Sequence, residues 1–354
     1  MKKTLIATAV AAAAALPLTT QADMVLYGQV HNTIMNVDAS TGGNATAEQW
    51  QVQDDSLLGF KGSENLGDGM QAIWKYEQAY DTDGTSAGCP GTDETNTTNT
   101  ASDRNCNARN TYVGLAGDFG TFLIGRVDTP YKTAWYAGDA DFGDGTIADM
   151  NATGFGGDNV GDDHFDETRA SNAIAYMSPD LSGFRVAMAV IPGETTGVED
   201  SLTDSWSGGL MYAANGLKIG AGLESLADTT ANTPNEKRWH ITGSYNYDNF
   251  TLGASYANVE DDNYVDGDKK KTFGLSVKYA LGRNAIGANY RFSDLENAAN
   301  GNGDIQSWAV YAMHNLSKRT SIYVAYGQSE YDREIGNVSD QETNEYGIGI
   351  IHKF

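Results

Sequence analysis

The chain ends in Tyr346-Gly-Ile-Gly-Ile-Ile-His-Lys-Phe354, and this stretch decides the class of fold that we expect. Alternate side chains of a β-strand point to the same face. The tyrosine, two isoleucines, the histidine and the terminal phenylalanine therefore share one face, while Glu345, the glycines and Lys353 lie on the other. An apolar strand face that ends on a bare aromatic is typical of a closed barrel whose outer surface meets lipid.

The first 22 residues have the pattern of a secretory signal peptide. Lys2 and Lys3 precede an apolar run over residues 5–18, and small residues near Ala22 offer a cleavage site. That run is short for a membrane-spanning helix, and no later stretch approaches about 20 apolar residues. We therefore predict that residues 23–354 form one exported domain that crosses a membrane as strands. A secreted, soluble β-protein is the alternative.

The composition favours strands and turns, and the charge is strongly acidic. The chain has 41 glycines and 19 tyrosines but only six prolines, which suits long hydrogen-bonded strands joined by turns. Its net charge is −24, and loss of Lys2 and Lys3 takes it to −26. The acids gather in polar, loop-like stretches at residues 81–103, 139–167 and 261–268. Such a surface argues against nucleic acid as a partner. We predict no resident cofactor and no metal site, although acidic loops could bind divalent cations weakly.

Three consecutive segments alternate apolar and polar residues in the same phase, as half-buried strands do. In residues 239–247, aromatic and aliphatic side chains occupy one face, and a histidine, a threonine and a serine occupy the other. Residues 250–256 and 273–279 repeat this pattern.

The connections between such segments alternate in length. Long, polar connections are found at residues 38–49, 81–108, 128–167, 192–204, 227–236, 260–270, 295–304 and 332–343. Short ones include residues 66–68, 116–119, 214–216, 248–249, 281–283 and 317–319. Short periplasmic turns and longer external loops are the rule in membrane barrels. Eight long loops and seven short turns predict an all-β, 16-stranded antiparallel transmembrane β-barrel.

The two cysteines, Cys89 and Cys106, both lie in one polar stretch. Because an exported chain passes through an oxidising compartment, we expect them to form a disulfide that closes this loop. They lack the companion histidines or cysteines of a zinc site.

Short motifs in a fixed order run through nearly the whole chain. They occupy residues 26–28, 58–67, 109–115, 118–121, 125–130, 169–176, 178–179, 316–320 and 352–354. With these motifs the chain resembles the general diffusion porins of Gram-negative bacteria, particularly the neisserial and β-proteobacterial branch. The resemblance implies a homotrimer in the outer membrane, surrounded by lipid and lipopolysaccharide, with Phe354 recognised by the barrel-assembly machinery. It also implies a water-filled pore narrowed by an inward-folded loop, here about residues 128–167.

The resemblance further implies a pore constriction with basic residues on the wall and acids on the loop. The predicted basic wall is Lys61, Lys75, Arg109, Arg126 and Arg169. The predicted loop acids are Asp139, Asp141, Asp144 and Asp149. Strand alternation independently places Lys75 and Glu77 toward the lumen, whereas Arg126 could equally line the pore or make a structural pairing.

Two positions depart from the family pattern and lower the positive charge of the wall. Leu57 stands where a relative usually has arginine, and Gln29 stands where enterobacterial relatives often have lysine. Both are predicted to face the lumen. Together with the acidic loops, these changes predict a weak preference for cations.

The predicted function is passive passage of small hydrophilic solutes and ions. A channel selective for a sugar, an amino acid or phosphate is the main alternative, but Tyr27, Trp135 and Tyr136 are few aromatics for a sugar path. An enzyme built on a barrel would need a nucleophile, a base and an orienting acid at one rim, and no such motif is recognisable. A role as adhesin or phage receptor is compatible with a porin and is not tested by the sequence.

Overall fold

The computed structural model describes residues 23–41, 44–80, 82, 108–143, 146–149, 168–193, 201–227, 235–261, 268–296, 302–333 and 341–354. They form a closed antiparallel β-barrel with one short helix inside it. The strand segments are β1 (Asp23–Thr41), β2 (Asn44–Asp54), β3 (Ser56–Gly67), β4 (Met70–Tyr80), β5 (Thr111–Gly117), β6 (Gly120–Asp128), β7 (Arg169–Met177), β8 (Phe184–Ile191) and β9 (Ser205–Ala214). They continue with β10 (Leu217–Leu226), β11 (Glu236–Tyr247), β12 (Phe250–Asp261), β13 (Asp268–Leu281), β14 (Asn284–Glu296), β15 (Gly303–Asn315), β16 (Thr320–Arg333) and β17 (Gln341–Lys353). The helix is α1 (Pro130–Gly138).

The 17 segments make 16 barrel strands, which confirms the predicted number. β2 and β3 are separated only by Asp55, and both pair with β1. The first half of β1 pairs with β3 and its second half with β2, so β2 and β3 are two parts of one strand. Within the described ranges, no helix has the length and apolar character needed to cross a membrane.

The barrel closes where its first and last strands meet, and the closing pair includes the last residue of the chain. β1 and β17 are antiparallel partners from Gln29 opposite Lys353 to Thr41 opposite Gln341. Gly28 and Phe354 exchange two backbone hydrogen bonds, at 3.2 and 3.0 Å. A side chain at position 28 would overlap the Phe354 ring, so the glycine provides the space in which the terminal aromatic sits.

The two faces of the strands differ as the alternation predicted. On β11, Trp239 and Ile241 are exposed on the outer surface, whereas His240, Thr242 and Ser244 are buried inside the barrel. The terminal strand has the same phase, with its two alternating isoleucines and the phenylalanine on the outside. A closed barrel satisfies every strand's backbone hydrogen bonds, so an apolar outer face can lie in lipid.

One predicted loop is mostly strand. The polar stretch 38–49 was expected to be a long connection, but β1 continues to Thr41 and β2 begins at Asn44. Asp38 lies opposite Glu48 in the β1–β2 ladder and opposite Asn344 in the β1–β17 ladder. Backbone pairing with both neighbours stabilises an extended conformation even where the side chains are polar. Polarity alone therefore could not distinguish a projecting hairpin from an irregular loop.

Candidate functional site at the pore constriction

The predicted constriction loop enters the barrel directly after β6 and forms α1. Thr129 caps the helix, because its Oγ1 accepts a hydrogen bond from the Lys132 backbone N at 3.3 Å, and Pro130 occupies the first turn. The helix ends at Gly138 and is followed by its C-cap, Asp139, whose backbone is left-handed with φ 49°.

One face of α1 is buried against the barrel wall. Tyr131, Ala134, Trp135 and Gly138 are buried, which is the i, i+3, i+4, i+7 stripe of an amphipathic helix. The stripe packs on β9, β10 and β11. Tyr136 lies on the opposite, exposed face of the helix. Of the two loop aromatics considered above, Trp135 is thus buried behind the helix, and only Tyr136 is open to the lumen.

Glycines on the wall strands make this close approach possible. A side chain at Gly209 would overlap the carbonyl oxygen of Pro130, and one at Gly220 would overlap that of Ala134. Gly253 stands in the same relation to the Ala140 carbonyl oxygen. The backbone of the loop therefore lies directly on the backbone of β9, β10 and β12.

Polar side chains of the wall bind the loop backbone along its length. Ser207 accepts a hydrogen bond from the Tyr131 N at 2.9 Å, and His240 Nε2 lies 2.9 Å from the Tyr131 carbonyl oxygen. Thr242 donates to Trp135, and Ser276 donates to Ala140. These bonds satisfy loop backbone groups that the barrel wall shields from water.

The predicted loop acids occupy different environments. Asp139 forms an ion pair with Lys218 of β10 at 2.5 Å, and Asp141 forms one with Arg291 of β14 at 2.9 Å. Both pairs join the loop to the part of the wall that it covers. Asp149 is buried. Asp144 lies outside the described residues, as do Cys89 and Cys106 with their predicted disulfide.

A buried arginine contacts residues at both ends of the inserted loop. Arg238 of β11 hydrogen-bonds to Glu224 and to Thr168, the residue immediately before β7. Its guanidinium carbon lies 5.0 Å from the centroid of the Tyr131 ring, in the first turn of α1. One side chain thus contacts the beginning and the end of the inserted segment.

A charged cluster centred on Glu77 lies on β3 and β4, which are not among the strands on which the described part of the loop packs. The Glu77 carboxylate binds Lys75 at 2.9 Å and Arg109 at 3.0 Å, and it accepts a hydrogen bond from Tyr27 at 2.8 Å. Lys61 lies opposite Lys75 in the β3–β4 ladder, and its ammonium lies 5.1 Å from the centroid of the Tyr27 ring. Two of the five predicted wall bases therefore contact the Glu77 carboxylate, and a third, Lys61, lies over the ring of the tyrosine that donates to it.

A second carboxylate, Asp128, organises the neighbouring bases at the entry to the loop. Arg169 lies 2.9 Å from it, Lys132 of α1 lies 3.8 Å from it, and Asn110 donates a hydrogen bond at 2.5 Å. We call the two groups together the inner-wall cluster, whose charged members are Lys61, Lys75, Glu77, Arg109, Asp128, Lys132 and Arg169. Five cations and two carboxylates leave an excess of three positive charges in this cluster.

Arg109 lies just before β5 and remains charged at any accessible pH. Burial opposes its positive charge, but the hydrogen bond to Glu77 and the charge of that carboxylate outweigh this effect. The pKa of Arg109 is therefore raised above its ordinary value.

The remaining predicted residues lie at the edges of this cluster. Gln29 is directly opposite Leu57 in the β1–β3 ladder, two residues from inward-facing Tyr27. Arg126 has the strand phase of the outward-facing Phe122 and Ile124, and its guanidinium donates to the Ala108 carbonyl oxygen and the Ser171 hydroxyl. This arrangement favours the structural pairing that the sequence left open for Arg126.

Several residues of the site have no counterpart among the sequence predictions. They are Asp128, Lys132, Lys218, Arg238 and Arg291, together with Asn289 of β14, which donates a hydrogen bond to the Phe142 carbonyl oxygen. Arg238 and Arg291 alternate with outward-facing aromatics, so a charge in the inward phase was a usable signal. Arg238 pairs with Glu224, which lies directly opposite it on β10, whereas the partners of Lys218 and Arg291 depend on how the loop folds, which the strand pattern does not contain. The described residues include no group of three or more potential metal ligands.

Comparison with known proteins agrees with this geometry. A family model described as Gram-negative porin matches residues 5–334. The chain is 27% identical to the major outer membrane protein P.IB of Neisseria meningitidis serogroup B, with all of both chains covered. It is 26% identical to the P.IB protein of Neisseria gonorrhoeae, covering 92% of this chain and 93% of that protein.

Solved structures share the fold at lower identity. The anion-selective porin from Comamonas acidovorans superposes with a TM-score of 0.72 at 20% identity, covering 94% of this chain and all of that one. The trimer form of OmpT from Vibrio cholerae gives a TM-score of 0.64 at 16% identity, covering 94% of this chain and 99% of that one. With a family model that matches almost its whole length and an inner loop that narrows a 16-stranded barrel, the chain belongs to the Gram-negative porin family of the outer membrane.

Proposed function

We propose that this protein is a general diffusion porin through which small hydrophilic solutes and ions pass down their gradients. The observation that carries the proposal is the position of the inserted loop. Its described residues pack on the wall from β9 to β17 and on Met35 of β1, whereas the charged cluster around Glu77 lies on β3 and β4. A polar passage bordered by fixed charges acts as a size limit and a charge filter. Porins are channels rather than enzymes, which argues against the enzymatic alternative.

We further propose that ion selectivity depends on salt. The acidic loops of a chain with net charge −24 attract cations at low ionic strength. Screening limits that attraction to about 8–10 Å in physiological salt. The bases of the inner-wall cluster lie within the passage itself and are screened less. The predicted weak cation preference should therefore hold in dilute salt and shift toward anions as salt increases.

Reversal potentials in planar bilayers test both proposals. Purified protein should give ohmic channels, and the potassium-to-chloride permeability ratio in a KCl gradient should fall as mean salt rises from about 0.01 M to about 1 M, where the Debye length shrinks from about 30 to 3 Å. Failure to form channels would contradict the porin function. A ratio independent of salt, or anion preference at both extremes, would contradict only the charge model.

The assembly proposed from the resemblance is a homotrimer in lipid and lipopolysaccharide, inserted by machinery that recognises Phe354. The trimer form of the Vibrio cholerae structure supports the oligomeric state by fold alone. Crosslinking of the native membrane, followed by electrophoresis of unheated samples, would detect three subunits. Weak binding of divalent cations to the acidic loops remains a prediction, to be checked by the effect of Ca²⁺ on single-channel current.

A further inference from the structure

We propose that the ion pair between Asp141 and Arg291 is a latch that sets the open size of the pore by holding the constriction loop against β14. This inference rests on the proposed porin function. It assigns Asp141, which the sequence placed in the charge filter, to positioning of the loop. Arg291 is a positioning residue that acts through Asp141.

Burial separates this pair from an ordinary surface contact. Arg291 is only 1% exposed and Asp141 16%, with 2.9 Å between a guanidinium nitrogen and a carboxylate oxygen. The arginine is also the largest of the fully buried side chains among the described residues. A buried charge that loses its partner is strongly unfavourable, so each member of the pair constrains the position of the other.

A neighbouring side chain on the same strand extends the attachment. Asn289 precedes Arg291 by two residues and therefore points to the same side of β14. Its amide nitrogen donates to the Phe142 carbonyl oxygen at 2.6 Å and to the Ala148 carbonyl oxygen at 2.8 Å. One short stretch of β14 thus holds the loop at three points between residues 141 and 148.

Apolar contacts hold the same part of the loop against other strands. Phe142, Ile147 and Ala148 pack in a buried cluster with Met35 of β1 and Tyr323 of β16, among others. Loss of the ion pair should therefore loosen the loop without unfolding the barrel. We therefore expect the loop to move around its docked position, so that the width of the constriction fluctuates.

The chain supplies a matched control two residues away. Asp139 also pairs with a wall cation, but Lys218 is 47% exposed and Asp139 38%. Exposed pairs contribute little to structure because water and salt compete with them. Replacing either aspartate with asparagine removes one negative charge from the same loop, so a difference between the two variants reports burial and geometry rather than net charge.

The experiment compares Asp141→Asn, Arg291→Met, the double variant and Asp139→Asn in single-channel recordings. The loop exchanges between a docked and a loosened position. Removal of one partner of a buried pair should lower the equilibrium ratio of docked to loosened molecules on the order of 100-fold or more. The exposed control should shift it by about 5-fold or less. Both single latch variants should show larger mean conductance and greater open-channel noise than wild type. The double variant should show a mean conductance and an open-channel noise no greater than those of Arg291→Met alone, because it leaves neither member of the pair as an unpaired charge.

Reversal potentials distinguish a latch from a filter. A latch predicts that Asp141→Asn changes the permeability ratio no more than Asp139→Asn does. The inference would be overturned if Asp141→Asn moved the ratio toward anions while its conductance and noise stayed at wild-type values. It would also be overturned if both Arg291→Met and the double variant behaved as wild type. Should Arg291→Met fail to assemble, Asp141→Asn and the double variant decide the question. Absence of any wild-type channel would instead reject the porin function.

Discussion

At the residue scale, two carboxylates determine how the bases of the pore wall are arranged. Glu77 contacts Lys75, Arg109 and Tyr27, and Asp128 contacts Arg169 and Lys132. Without these acids, five like charges would repel one another across a narrow space. The carboxylates therefore hold the bases in place and reduce the positive charge of the passage.

Replacement of Glu77 with glutamine tests this role. The inner-wall cluster would gain one unit of positive charge, and the chloride-to-potassium permeability ratio should rise roughly 2- to 3-fold, the effect of about one kT in local potential. Reversal potentials at about 0.1 M KCl would measure the change. Glu296→Gln is the control, because Glu296 is an exposed residue at the end of β14 that pairs with Lys271. An equal shift in both variants would contradict the proposed location of the filter.

At the scale of elements, small residues of the wall decide where the helix of the loop can dock. Gly220 of β10 lies against the Ala134 carbonyl oxygen with no room for a methyl group. Gly208 of β9 faces ordinary space, since the nearest atom to an added methyl group would be 3.7 Å away. These two strand glycines therefore have different functions despite their similar sequence context.

An alanine at each glycine separates the two functions. Gly220→Ala should destabilise the docked helix by about 1–3 kcal/mol, the usual cost of overpacking a closed site. Gly208→Ala should change stability by no more than about 0.5 kcal/mol. Urea unfolding of protein refolded in detergent gives the stabilities, and single-channel noise reports the loop. Equal midpoints for the two variants would show that α1 does not rest on β10.

At the scale of the whole molecule, closure of the barrel depends on the pairing of its first and last strands, β1 and β17, which we call the seam. β1 and β17 are far apart in sequence, and the Gly28–Phe354 hydrogen bonds complete their ladder. An open barrel would leave unpaired backbone groups in lipid, where each costs several kcal/mol. Closure is therefore a property of the complete domain rather than of any hairpin.

Deletion of Phe354 should weaken this seam. Two backbone hydrogen bonds are lost, at about 0.5–1.5 kcal/mol each, together with the aromatic contact over Gly28. The temperature at which the folded band disappears in semi-native electrophoresis should fall. Phe354→Leu keeps both backbone bonds and should stay close to wild type. Refolding in detergent removes any contribution of the assembly machinery, and an unchanged temperature after deletion would argue that the seam closes without its last residue.

The sequence by itself determined the barrel, its strand number and the faces of its strands. Period-two alternation is a local property, so residues such as Trp239 and His240 reveal their faces without knowledge of their neighbours. Alternating connection lengths gave the strand number, and the alternation of β4 alone places Lys75 and Glu77 on the face opposite the exposed Tyr76. Residues 38–49 were misjudged because pairing with adjacent strands, not local polarity, decides whether a projecting segment is extended.

Only the tertiary structure decided which charges meet. Asp141 and Arg291 are 150 positions apart, and the alternation of β14 places the arginine inside the barrel without indicating which part of the loop reaches it. A mobile chain can bring a loop acid to many inward bases, and the choice among them depends on where the backbone can pack. Here glycines on β9, β10 and β12 leave room for the loop to pack directly on the wall. In that position Asp139 and Asp141, which were expected to face the pore, instead pair with Lys218 and Arg291 of the wall.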